Sequence, residues 1–398
     1  MTAEGDAGNA GAGARARLPL LDVLRGVAIL GTLMSNVWIF AGPGAEWGVL
    51  TGNAATSAGA DSSTLAGAAE TVFRALANGK FLSMLTILFG VGLAIQFRSA
   101  AQRGQPWPGR YKWRALFLFT EGTVHFVLVF AWDVLMGYAV VALLVAWLLT
   151  RSARAQRVTW IAMGVLHLAA MTLLTAAMLL ASDGATDGGP DTDTVTLYAQ
   201  GGYAEQVAFR LSHAVALRME PVLSFGLLVC LFLLGVRLFR AGAFQNDAAG
   251  RRIRRRLAGW GLGIGLPLTA LAALGGPGFF LLERYGAAPV LAVGYLGLIG
   301  MAMDRLRHPG PLAFALISAL TSVGRTALSC YVLQNVLAML ACYGIGLGLA
   351  SRWADSGPWW VMGLWAAICL VLVTGASLWL RRFEHGPLES VQKRLLRR

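Results

Sequence analysis

The sequence predicts an all-α protein, a polytopic transmembrane helix bundle of about ten spans with both termini cytoplasmic. Three observations predict it. Hydrophobic residues make up 57% of the 398-residue chain and charged residues only 13%, against roughly a quarter charged in an average soluble protein. The apolar residues fall into runs near the length that crosses a bilayer. The basic residues collect in alternate connections between those runs, as cytoplasmic loops do.

The runs are read at 20–41, 72–97, 113–131, 134–150, 158–181, 221–239, 257–274, 288–303, 322–350 and 359–380. Pro19 suits the first turn of the first helix. The third and fourth runs are separated only by Trp132-Asp133 and form a tight hairpin. The ninth is long enough to begin with a separate interfacial helix. Residues 1–17 read as a disordered tail, 18–398 as one helical domain, and 381–398 as a basic cytoplasmic tail. Residues 182–220 read as an outer loop, Gly/Asp/Thr-rich at first, that turns into an interfacial helix from Tyr203. The apolar run after residue 17 is too long for a signal-peptide core and carries Asp22 and Arg25, so it is expected to stay as an uncleaved span.

Arg98, Arg103, Arg110, Lys112 and Arg114 follow the second run, and Arg251, Arg252, Arg254, Arg255 and Arg256 follow the sixth. Residues 42–71, by contrast, hold Glu46, Asp61 and Glu70 and no Lys or Arg. The net charge of +13 therefore reads as a topology signal and lipid-headgroup contact, and nucleic acid is not an expected partner. Cys230, Cys330, Cys342 and Cys369 lie inside apolar runs without zinc-ligand spacing, so no metal is expected.

Ionisable groups at membrane depth are costly and turn toward a protein interior or cavity. In the first span Asp22 and Arg25 share a face and can pair. Asn36 lies on the same stripe, roughly 16 Å further along the axis. Gly26 and Gly31 would let another helix approach closely. Lys80 opens the uncharged part of the second span and, alone, would snorkel at the outer end. Glu121 and His125 share a face of the third span, and Asp133 follows at its outer turn. His125 can be a satisfied core residue or a general base whose ring a carboxylate orients. His167 reads as structural. Arg325, Tyr331, Gln334 and Asn335 add polar groups to the ninth run. Polar groups thus run from one membrane face to the other.

These residues also carry a resemblance. Leu21-Asp22, Arg25-Gly26, Ala28, Gly31 and Asn36 resemble the L-D-x-x-R-G-x-A-x-x-G…N signature of the YeiB-like membrane proteins, the family catalogued as domain of unknown function 418. Lys80-Phe81 with Leu88-Phe89-Gly90-Val91-Gly92 resembles its K-F…L-F-G-x-G. His125, Trp132-Asp133-Val134-Leu135 and Tyr138 resemble its H…G-D-I-L…Y, with Trp132 in place of the Gly. Gly324-Arg325, Ala327-Leu328, Tyr331 and Gln334 are similar to its G-R-x-A-L-T-x-Y…Q, with Ser329-Cys330 at the usual Thr-Asn pair. Phe383, Gly386-Pro387-Leu388-Glu389 resemble its terminal F-R-x-G-P-L-E.

The first-helix motif is also similar to that of transmembrane acyltransferases of the heparan-glucosaminide N-acetyltransferase and polysaccharide O-acetyltransferase types. That resemblance implies transfer of an acyl group from cytoplasmic acyl-CoA to a hydroxyl or amine of a small-molecule, glycan or lipid acceptor at the far face. Arg25, with Asp22, would contact the acyl-CoA phosphates. The base of neither type carries over, since Asn36 stands where the O-acetyltransferases have His and the loop that bears it in the heparan type offers Trp47 here; His125 is the candidate this sequence itself supplies, with Asp133 orienting it and Asn36 or Lys80 stabilising the oxyanion. Glu121, Tyr138, Arg325, Tyr331, Gln334 and Asn335 would support the site. A transporter of a small metabolite or lipid, or a structural membrane component, would use the same residues differently. The expected location is the plasma (inner) membrane, multi-pass.

Overall fold

A computed structural model describes residues 18–50, 63–182, 191–306 and 309–396; the tail read at 1–17 and most of the Gly/Asp/Thr-rich stretch lie outside them. Every regular element among the described residues is helical. The principal helices are α1 (Pro19–Ala41), α2 (Leu65–Ala77), α3 (Lys80–Gln102), α4 (Tyr111–Leu128) and α5 (Leu135–Leu148). Then come α6 (Ala153–Ser182), α7 (Thr192–Gln200), α8 (Tyr203–Ser212), α9 (Phe225–Arg240) and α10 (Ala248–Leu274). The chain ends with α11 (Ala288–Arg305), α12 (Pro311–Arg325), α13 (Ala327–Cys342), α14 (Trp359–Trp379) and α15 (Pro387–Leu395). Among the described residues six helices are long and apolar enough to cross a membrane, or up to seven when the bent pair α12–α13 is taken as one span.

Each apolar run of the sequence falls on a helix, but three runs are broken. The second divides at Asn78-Gly79, where Gly79 takes a positive φ of 69° that a side chain would strain. The sixth bends at Ser224, between Met219–Leu223 and α9. The ninth turns by 89° between α12 and α13, and α13 ends at Cys342 where the run continues to 350. The segment after residue 190 is helical earlier than expected: Asp191 caps α7 through its side chain, so the helix begins well before Tyr203.

Small residues let α1 sit at the centre. It packs against α3, α12, α13 and α14. A Cβ on Gly26 would lie 2.1 Å from the Leu320 carbonyl oxygen, and one on Gly324 would lie 1.8 Å from that of Asp22. Only glycines allow α1 and α12 to cross this closely. Gly31 instead receives the ring of Phe81. The same device joins α3 to α9 at Gly90 and Gly235, and α10 to α11 at Gly261 and Gly294. One end of the bundle gathers the start of α1, the ends of α3 and α9, and the 384–385 segment, with Arg25, Arg98 and Arg325 among its lining. This is the basic end.

Candidate functional site

Asp133 is where the chemistry concentrates. The α4 helix stops at Leu128 and α5 begins at Leu135, leaving Asp133 buried in the turn. Its Oδ2 accepts the Leu135 amide at 2.9 Å and the Met136 amide at 3.4 Å, so the carboxylate caps the first turn of α5. Gly122 makes room: a Cβ there would approach Asp133 Oδ2 at 2.6 Å. The other oxygen, Oδ1, meets His125 Nδ1 at 2.9 Å and accepts from the Tyr331 hydroxyl at 3.1 Å. An Nδ1–H donated to Asp133 leaves Nε2 as the acceptor. Asn335 Nδ2 stands 3.4 Å from Nε2, and Asn36 Nδ2 donates to Asn335 Oδ1 at 3.2 Å. Asn36, Asn335, His125, Asp133 and Tyr331 therefore form one continuous chain drawn from α1, α13, α4 and the α4–α5 turn.

The other sequence candidates fall elsewhere. Asp22 and Arg25 pair at 3.1 Å near the basic end. Lys80 is fully buried and bonds Glu283 at 2.9 Å; it does not join the His125 chain. Asn78 donates to the same carboxylate, and Arg284 links Asn78 to Glu220, which also accepts from Tyr285. Tyr138 joins α5 to α3 through Thr86 (2.6 Å) and the Leu82 carbonyl. Glu121 Oε2 and both amide atoms of Gln334 are buried without a hydrogen-bond partner. His167 Nε2 donates to the Tyr285 carbonyl at 3.1 Å, tying α6 to the 283–287 segment. Arg325 Nη2 donates to the Glu384 carbonyl.

Sequence reasoning missed several contributors. Arg218 donates to the Asp133 and Gly122 carbonyls and lies over the Phe126 ring, 3.8 Å from its centroid. Glu389, noted only within a terminal motif, accepts from the Leu328 and Ser329 amides and the Ser329 hydroxyl. It thereby caps α13, the helix that carries Tyr331 and Asn335, from a distant part of the chain. Glu283 and Arg284, a charged pair amid apolar sequence, were the available signal for the Lys80 network.

Cavities lie on both sides of Tyr331. A cavity of about 440 Å³ has Arg25, Arg114, Arg325, Gln96 and Gln392 at its polar part, with Glu389 there engaged on the start of α13, and Ile29, Leu85, Leu88 and Leu118 along its apolar part. It ends at Tyr331 and merges toward the basic end with a wider cavity sharing Arg25 and Arg325. Tyr331 also lines a small cavity on the opposite side, with Asn36, Thr32 and Trp132. That one shares Ser35, Ile39, Trp132, Glu220 and Arg284 with a further cavity reaching Leu50, beyond the far end of α1. The cavities thus follow α1 from Leu18 to Leu50, with Tyr331 at the partition. Three arginines at the mouth of a largely apolar chamber fit a molecule with phosphates at one end and an uncharged arm at the other. Among the described residues no group of three or more His, Cys, Asp or Glu could hold a metal ion.

Residues 238–398 match the family described as "Protein of unknown function (DUF418)". Along 94% of its length the chain is 29% identical to "Uncharacterized protein YeiB" of Escherichia coli (strain K12), covering 95% of that protein. It is 25% identical to "Uncharacterized protein YxaH" of Bacillus subtilis (strain 168), again over 94% of this chain and covering 92% of the relative. The resemblance to the YeiB-like family read from the ordered motifs is borne out.

Proposed function

We propose that this YeiB-like membrane protein is an acyltransferase that moves an acyl group from acyl-CoA at the basic end to a hydroxyl or amine arriving from the other. The observation that carries the reading is the buried His125–Asp133 pair, hydrogen-bonded through Tyr331, the residue that lines both cavities. Arg25, Arg114 and Arg325 would hold the phosphates, and the apolar chamber would take the pantetheine arm and acyl group. The acceptor would displace the long Asn335 contact and give its proton to His125 Nε2. Its oxygen or nitrogen would attack the thioester carbonyl, the C–S bond would break, and the imidazolium would return the proton to the departing thiolate. Asn36 and Asn335 would face the developing oxyanion; Lys80, held by Glu283, takes no part at this position.

In this reading about ten helices cross the plasma membrane, α4, α5, α9 and α13 among them, and the basic end faces the cytoplasm. Equilibrium binding of labelled acetyl-CoA to the protein in nanodiscs, repeated with Arg25→Ala, tests it. Saturable binding weakened by the substitution supports the proposal; no binding of acetyl-CoA or longer acyl-CoAs to folded protein refutes it. The run of cavities along α1 also favours a second reading, a transporter with Tyr331 as its constriction. Substrate flux without CoA release would select that one.

A further inference from the structure

The cavity on the side away from the basic end carries information about the acceptor. Its volume is about 140 Å³, below the roughly 300–1,000 Å³ of sites that enclose a drug-sized ligand. It can therefore take the end of a larger molecule, with the rest left outside. Its inner wall is Ser35, Trp38 and Ile39 of α1, and Trp38 and Ile39 are buried. Asn78, Glu220 and Arg284 supply its polar side. The outer wall is mostly apolar, with Leu50, Met219, Leu223, Phe280 and Leu281, and Arg74 of α2, paired with Glu70, adds one charged group to the lining. Leu50 is 43% exposed and Leu223 37%. Val222, next to Leu223 in the same short helical segment, is exposed as well. In a membrane protein an exposed apolar surface meets lipid. The polar interior, by contrast, leads through the small shared cavity to Asn36, and from there by hydrogen bonds to Asn335 and His125.

From this geometry we infer that the acceptor is a membrane lipid with a small hydroxyl- or amine-bearing headgroup. The headgroup enters between α2 and the 219–223 and 280–281 segments while the acyl chains stay in the bilayer. A freely soluble sugar would gain nothing from the exposed apolar mouth and would not be contained by the cavity. The inference rests on the acyltransferase reading for the fate of the lipid; lipid occupancy of the cavity stands on the geometry alone.

The test uses the full chain in phosphatidylcholine nanodiscs doped with a phosphatidylethanolamine that carries a diazirine on its headgroup. Photolysis followed by peptide mapping locates the adducts, and acetyl-CoA binding is measured in the same nanodiscs. The expected result is adducts on residues 35–39, which lie inside the bundle where annular lipid does not reach. Unlabelled phosphatidylethanolamine or phosphatidylglycerol should compete them away, and soluble glucosamine should not. Leu281→Trp, which fills the cavity, should lower them about tenfold, with Leu50→Trp at the exposed mouth as the second variant should the first fail to fold. Absence of adducts at 35–39, adducts undiminished by both competitor lipids and a folded tryptophan variant, or competition by glucosamine would overturn the inference. Acetyl-CoA binding without adducts removes the lipid acceptor and spares the acyltransferase. Adducts without acetyl-CoA binding keep the lipid site and remove the enzyme, in favour of lipid transport.

Discussion

The two buried polar networks of this bundle are built from similar residues and end in different states. Around Lys80 the charges balance: Lys80 meets Glu283, Arg284 meets Glu220, and Asn78 and Tyr285 take up remaining donors and acceptors. Around His125 they do not saturate in the same way. One carboxylate oxygen serves both His125 and Tyr331, and the imidazole Nε2 meets only an amide at 3.4 Å. Neighbouring Glu121 and Gln334 keep buried atoms without partners. A closed network of opposite charges fixes helices, because removing one member strands another in a water-poor interior. An open network with a weakly held acceptor atom can exchange that contact for a substrate.

The comparison can be broken by substitution. His125→Ala should lower acyl transfer by about 10²–10⁴-fold, the usual contribution of a positioned base, while thermal unfolding in detergent changes little. An equal loss of folded protein would put His125 in the class of Lys80. Lys80→Met should do the reverse and cost about 3–5 kcal/mol of stability, because Glu283 is left unpaired. A Lys80→Met/Glu283→Leu double variant should recover most of that in the same melting assay. Arg25→Ala should weaken acetyl-CoA binding about tenfold or more, as expected for one charge-assisted contact worth about 1.5–3 kcal/mol; an unchanged affinity would move the phosphates to Arg114 and Arg325. Glu389→Ala should be the mildest, costing about 0.5–2 kcal/mol by uncapping α13. Its sharper readout is transfer: loosening α13 should disturb Tyr331 and Asn335 and lower the rate more than acetyl-CoA affinity.

Much of the site was legible because the relevant residues are polar where the sequence is otherwise apolar. Asn36, His125, Asp133, Tyr331 and Asn335 stood out on that ground and meet in space. Lys80 stood out equally, yet its partners are Glu283 and, through Asn78, Arg284, some two hundred residues away. Arg218 and Glu389 were not legible as site residues. One acts from the irregular segment beyond α8 and the other from the last helix, each across more than sixty positions of chain.

By itself the sequence determined the helical class, the helices beneath the long apolar runs and the segregation of basic residues. Apolar run length and period are local properties, and the bilayer's demand for internally satisfied backbone groups converts them directly into helices. It also determined which faces α1 and α4 would present, since Asp22–Arg25 and Glu121–His125 follow from the helical repeat alone. Only the tertiary structure decided which buried charge meets which. That choice depends on how closely helices cross, and the crossings are set by backbone-to-backbone approach at Gly26, Gly324 and Gly122. The breaks at Gly79 and Thr326 were decided there as well. A bend of 89° places the first turn of α13 on Glu389 and aims Tyr331 at Asp133, and no single-helix periodicity encodes that direction.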